Sequence, residues 1–90
     1  MGIKSPKMII ITGATGHLGR CYAAEAADKA ALILIDRDQY KLTELVSQLP
    51  NPSWHSVYAI DLANEDQRKT IIQKILEQNK VIDILVNTAA

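Results

Sequence analysis

At 90 residues the chain is about half to two-thirds of a typical domain, and a chain of that size buries about 60% of the surface its unfolded form exposes, enough for one small core. A composition of 48% hydrophobic and 22% charged residues, with three Pro and four Gly, excludes disordered, collagen-like and coiled-coil classes. Ten Lys+Arg balance ten Asp+Glu, so no net basic field attracts nucleic acid, and the lone Cys21 can neither close an internal disulfide nor build a thiolate cluster; a reducing cytoplasm fits best.

The chain opens MGIKSPKMIIITG. Its apolar run, Met8 to Ile11, is far too short for a signal-peptide core or a membrane span. Pro6 stands where a myristoylation signal would need Ser or Thr, so a soluble, cytoplasmic product is expected, with no membrane partner. Met8–Ile11 reads as the first strand, because it is rich in β-branched residues and lacks polar alternation. A first helix follows from about His17 to Lys29, with Leu18, Tyr22 and Ala26 on one face. Ala31–Ile35 is the second strand. The second helix carries Leu42, Leu45, Val46 and Leu49 at helical spacing, and Pro50 closes it. Val57–Ile60 is the third strand. In the third helix, Ile71, Ile72, Ile75 and Leu76 follow Asn64 and Gln67, which have capping-box spacing. Ile82–Val86 is the fourth strand.

This order, β-α-β-α-β-α-β, needs crossover helices between parallel neighbours, and those crossovers are right-handed. The fold predicted over residues 1–90 is therefore the first half of a doubly wound α/β sheet of Rossmann type, with strand order 3-2-1-4. No repeat, low-complexity tract or internal boundary interrupts it.

The strongest chemical signal lies between the first strand and first helix, at Thr12-Gly13-Ala14-Thr15-Gly16-His17-Leu18-Gly19. Gly13 allows a tight turn off the strand, Gly16 a close backbone approach to a ligand, and Gly19 close packing of the helix on the sheet. The free amides and positive dipole end of the helix suit a pyrophosphate. Asp36 follows at the end of the second strand, roughly 20 residues on, where an acidic group meets the adenosine ribose of a dinucleotide. These residues together point to dinucleotide binding.

From Lys7 to Ala90 the chain resembles the short-chain dehydrogenase/reductase family. The resemblance rests on Thr12-Gly13-x-x-Gly16-x-x-Gly19, on Asp36, on Asp61-Leu62, and on Ile82-Asp83-Ile84-Leu85-Val86-Asn87-Thr88-Ala89-Ala90. It implies that Asp61 hydrogen-bonds the adenine, that Leu62 lies against its ring, and that Asn87 and Ala89 line the adenosine side of the cleft. Read from the residues alone, Asp61 could equally cap the next turn, and Ala89-Ala90 could be plain small residues at a strand end. The cofactor-binding set is then Gly13, Thr15, Gly16, His17, Leu18, Gly19, Asp36, Arg37, Asp61, Leu62, Asn87 and Ala89.

Two departures stand out. The glycine spacing is that of the family's extended and atypical branches, whereas the fourth strand looks like the standard-length members' version, with Asn87-Thr88-Ala89-Ala90 in place of Asn-Asn-Ala-Gly; a divergent standard-length member is favoured. The family's reaction also needs a Tyr-x-x-x-Lys pair, and four residues after Tyr22, Tyr40 and Tyr58 stand Ala26, Glu44 and Leu62. No catalytic residue is present. The expected product is thus the N-terminal, cofactor-binding part of a longer NAD(P)-dependent oxidoreductase, acting by hydride transfer on a carbonyl or alcohol, with a sugar-related substrate thinkable and homo-oligomers expected for the full-length protein. The alternative is a non-catalytic dinucleotide-binding or redox-sensing module. Asp36 accepts hydrogen bonds from ribose hydroxyls and repels a 2′-phosphate, which favours NAD; Arg37 keeps NADP open as the alternative.

Other candidates read as structural. His17 also reads as a solvated loop residue, and Arg20 as a helix-surface residue or a phosphate contact. Trp54 and His55 are expected in packing or loop roles, and Cys21 as a small buried hydrophobe. Lys69, Lys74, Glu77 and Lys80 form a solvated face, and no residue set has metal-site spacing. As a separate object the chain is expected to be marginally stable and to associate through its exposed fourth strand.

Overall fold

The computed structural model describes residues 7–78 and 82–88. The apolar runs become β1 (Lys7–Thr12), β2 (Ala30–Asp36), β3 (Ser56–Ala59) and β4 (Ile84–Asn87). Between them lie α1 (His17–Ala26), α2 (Gln39–Ser47) and α3 (Glu65–Gln78), with a single 3-10 turn at Pro52–Trp54. All pairings are parallel and the order is β3-β2-β1-β4, as the strand–helix alternation predicts.

Side chains alternate across the sheet, which splits the core in two. On one face Ile9 and Ile11 of β1 and Leu32 and Leu34 of β2 meet α1 and α2 through Ala23, Leu42 and Leu45. On the other, Ile33 and Ile35 of β2 meet Ile71 and Ile75 of α3. Every residue of β2 from Ala30 to Ile35 is buried, which is why that strand reads as one unbroken apolar run.

The inward face of α1 differs from the expected one at Leu18 and Tyr22, while Ala26 packs against the core. Gly19, Ala23 and Ala27 are buried, while Leu18 is 69% and Tyr22 39% exposed. The helix runs so close to the first turn that only small residues fit beneath it. Cys21 lies two positions from both Gly19 and Ala23, on the opposite side of a 3.6-residue turn, and it is exposed rather than buried. The helix also stops at Ala26, short of Lys29.

The other elements begin and end on specific side-chain bonds. Asp38 caps α2 by accepting from the Lys41 amide at 3.1 Å. At the start of α3 half of the expected capping box forms: the Gln67 amide donates to Asn64 Oδ1 at 3.1 Å. Gln67 Oε1 instead accepts from the Asp61 amide at 2.9 Å, so the side chain reaches back past the cap to the loop after β3. β3 starts one residue early, at Ser56. Before it, His55 Nδ1 accepts from the buried Leu32 amide at 3.1 Å, and its Nε2 lies 2.8 Å from the Pro50 carbonyl. Because an amide N–H must meet a bare ring nitrogen, Nε2 carries the proton and donates to Pro50; the loop role expected of His55 is this one. β4 starts at Ile84 instead of Ile82. Asp83 closes the ladder there, its amide donating to the Met8 carbonyl at 2.9 Å and its Oδ2 accepting from the Met8 amide at 2.8 Å.

Candidate functional site

At the carboxyl end of β1 the chain leaves the sheet through Gly13, whose φ of 69° lies in the left-handed region that L side chains avoid. The turn closes when the Gly16 amide donates to the Gly13 carbonyl at 3.1 Å, and the Ala14 amide ties it to β2 by donating to the Ile35 carbonyl at 3.2 Å. α1 then begins at His17. No side chain caps its N-terminus and no acidic residue sits in its first turn, so its first amides lack intrahelical acceptors while the positive end of the helix is unopposed. A Cβ on Gly19 would lie 2.3 Å from the Gly13 carbonyl oxygen and 2.8 Å from Ala14 Cα, and one on Gly16 would lie 3.3 Å from the Gly13 oxygen. Gly19 therefore serves to seat the helix on the turn itself, a closer contact than the helix–sheet packing expected of it.

The end of β4 braces this turn from the other side. Thr88 donates its amide to the Thr12 carbonyl at 3.1 Å. Its hydroxyl lies 2.8 Å from the Thr12 carbonyl and 3.1 Å from that of Gly13, and Thr12 Oγ1 donates to Asn87 Oδ1 at 2.8 Å.

Asp36, the last residue of β2, points its carboxylate at the turn. Oδ2 accepts from the Thr15 amide at 2.9 Å and the Thr15 hydroxyl at 2.7 Å, and Oδ1 accepts from the Arg37 amide at 2.7 Å. Partial burial works to raise the pKa of Asp36; the Thr15 hydroxyl, the Arg37 and Thr15 amides and the charge of Lys41 overcome it, so the carboxyl is held below its ordinary 3.8 and is ionised at neutral pH. Beside it a cleft of about 180 Å³ is lined by Gly13, Asp36, Arg37, Asp61 and Leu62, with Ile60 and Ala63. Asp61 Oδ1 accepts from the Ala63 amide at 2.9 Å, the turn-capping role left open for it.

A family model described as short chain dehydrogenase matches residues 7–90. The chain belongs to this family. An NADPH-dependent pterin aldehyde reductase of Arabidopsis thaliana is 32% identical over 88 residues, which cover 97% of this chain and 36% of that protein. A solved short chain dehydrogenase of Bacillus anthracis superposes with a TM-score of 0.82 at 31% identity, over 93% of this chain and 34% of that one. A metagenomic short-chain oxidoreductase solved in complex with NADP gives a TM-score of 0.84 at 24% identity, over 96% of this chain and 40% of that one, a likeness of fold. The chain thus spans between about a third and two fifths of the length of these proteins.

Within that family frame the structure brings Gly13, Asp36, Arg37, Asp61 and Leu62 around one cleft. Thr15 borders a neighbouring depression of about 350 Å³ with Arg20 and Lys41. Leu62 also borders a larger apolar cleft of about 500 Å³ on the α3 side of the sheet, where Asn87 lies. His17 and Leu18 face solvent at the start of α1. Ala89 lies outside the described residues. Sequence reasoning treated Thr88 only as a departure from the family's Asn; its position after Asn87 was the available signal for a bracing role. Among the described residues no group of His, Cys, Asp and Glu could hold a metal ion, and no helix is long and apolar enough to cross a membrane.

Proposed function

We propose that this chain is the dinucleotide-binding part of an NAD(P)-dependent short-chain oxidoreductase. The observation that carries the reading is the uncapped start of α1, set on a turn with no Cβ at Gly13, Gly16 or Gly19, with the ionised Asp36 at its rim. The amides of His17, Leu18 and Gly19 would hold the pyrophosphate. Asp36 would take the adenosine ribose, and Asp61 and Leu62 the adenine, while Asn87 and Ala89 would line the adenosine side of the cleft. When bound, the nicotinamide dinucleotide would exchange hydride with a carbonyl or alcohol, and the reacting side chains would come from polypeptide beyond these residues. The full-length protein would act in the cytoplasm as a homo-oligomer, on a substrate that could be sugar-related.

Cofactor choice turns on Asp36. At the effective dielectric of a protein surface, like charges about 4 Å apart repel by about 4 kcal/mol, so the ionised carboxylate disfavours a 2′-phosphate and favours NAD; Arg37, on the same cleft, offsets part of that. Titrating the complete gene product with NADH and NADPH, followed by cofactor fluorescence, tests this. Asp36→Ala should weaken NADH and strengthen NADPH; equal losses for both would show that Asp36 does not sit at the ribose.

A second reading is a non-catalytic dinucleotide-binding module, which needs the binding residues alone; none of Tyr22, Tyr40 and Tyr58 has a lysine four residues later. NAD(P)H turnover by the complete gene product across simple carbonyl substrates separates the two, since a module would bind the cofactor and turn over none of them.

A further inference from the structure

We propose that Thr15 is a positioning residue that sets cofactor choice by clamping the Asp36 carboxylate. The inference rests on the dinucleotide reading above and extends it to a residue that acts through another.

An ionised carboxylate offers about four acceptor positions. Two donors from Thr15 fill Oδ2, and the Arg37 amide takes one position on Oδ1. One position remains, on Oδ1, so a ribose would find a single acceptor aimed in a fixed direction instead of a carboxylate free to take both hydroxyls. The same two bonds keep the carboxylate from turning aside. Swinging it away from a 2′-phosphate would break both contacts to Thr15 and strain the one to the Arg37 amide, and each is a charge-assisted hydrogen bond of the stronger kind.

The surroundings make the clamp consequential. Arg37 follows Asp36 directly and lines its cleft, and Lys41, whose charge is felt at Asp36, lines the depression on the Thr15 side with Arg20 and Glu44. Cations therefore lie close to a carboxylate that discriminates against phosphate. With the carboxylate fixed, its charge dominates the ribose edge. Without the hydroxyl bond only the two backbone amides hold it, so the carboxylate is less firmly fixed and Arg37 is freer to meet a 2′-phosphate. The preference for NAD is thus held by the 21-residue link between Thr15 and Asp36 as much as by Asp36 itself.

Thr15→Val removes the hydroxyl, keeps the shape and leaves the backbone bond. Dissociation constants of NADH and NADPH, measured on the complete gene product, should show the preference for NADH falling about tenfold, the expected effect of losing one hydrogen bond to a charged group. Thr15→Ser, which keeps the hydroxyl, should restore it. A merely structural role would weaken both cofactors alike and leave the ratio unchanged, and that result would overturn the inference. Should Thr15→Val fail to fold, Thr15→Ala carries the same expectation, and an unchanged ratio in it overturns the proposal equally. A wild-type protein that binds neither cofactor would sink the dinucleotide reading and this inference together, whereas wild-type NADH preference with an unchanged ratio in the variants would sink this inference alone.

Discussion

Gly19 shows how a single missing side chain governs the site. A Cβ there would lie 2.3 Å from the Gly13 carbonyl oxygen and under 3.0 Å from two backbone atoms of Ala14, none of which can step aside as a flexible side chain could. Gly13 is itself held by its positive φ and by the Gly16 amide, and Ala14 by its bond to β2. Gly19→Ala should therefore push α1 off the turn and cost about 3 kcal/mol, the upper end of ordinary overpacking, read as a lowered midpoint in urea denaturation. A change within about 0.5 kcal/mol would mean that the helix can shift freely on the turn. The glycine itself was legible from its spacing, whereas its partner was not, since helix–sheet packing and helix–turn packing leave the same mark in a one-dimensional pattern. The bond from Thr15 to Asp36 was equally hidden. Each residue was a candidate for touching the cofactor, but nothing in their 21-residue separation says that they touch each other.

Among the elements, α1 and α3 show where periodicity informs and where it misleads. In α1 the inward residues are Gly19 and Ala23, too small to stand out in hydropathy, so the larger Leu18 and Tyr22 drew the apolar face to the wrong side. In α3 the stripe of four apolar residues was read correctly as helical, yet half of it packs: Ile71 and Ile75 are buried, while Ile72 is 48% and Leu76 60% exposed. The reason is coverage. Among the described residues α1 and α2 share one face of the sheet, whereas α3 alone packs on the other, and its outer apolar edge borders the 500 Å³ cleft. Ile75→Ala should cost about 2–5 kcal/mol, as for other large-to-small changes in a core. Leu76→Ala should stay within about 0.5 kcal/mol. Thermal or urea unfolding of the two variants would read the contrast, and comparable losses would mean that Leu76 is covered in the folded protein. Strand ends were less legible than strand existence, since β4 begins where Asp83 finds the Met8 backbone, a partner 75 residues away in sequence.

At the scale of the molecule, the strand order followed from the alternation of strands and helices and from the handedness of their crossovers, rules that need no side-chain detail. The same order leaves β4 at an edge of the described sheet, with Ile84 38% and Leu85 65% exposed, and Leu85 borders the apolar cleft. A sheet edge of this kind is a template for further pairing. The order also gathers the ends of β1, β2 and β3 beside the start of α1, the crevice in which open α/β sheets bind ligands and where the proposed nicotinamide dinucleotide would lie. The most direct measurement is a titration of the ¹⁵N-labelled complete gene product with NADH, following each backbone amide by NMR. Dinucleotide binding in this crevice should give saturable shifts concentrated at Gly16 to Gly19, at Asp36 and Arg37 and at Asp61 to Ala63, with the outer face of α3 unmoved. Shifts absent from the glycine turn, or centred on Ile72 and Leu76, would contradict it.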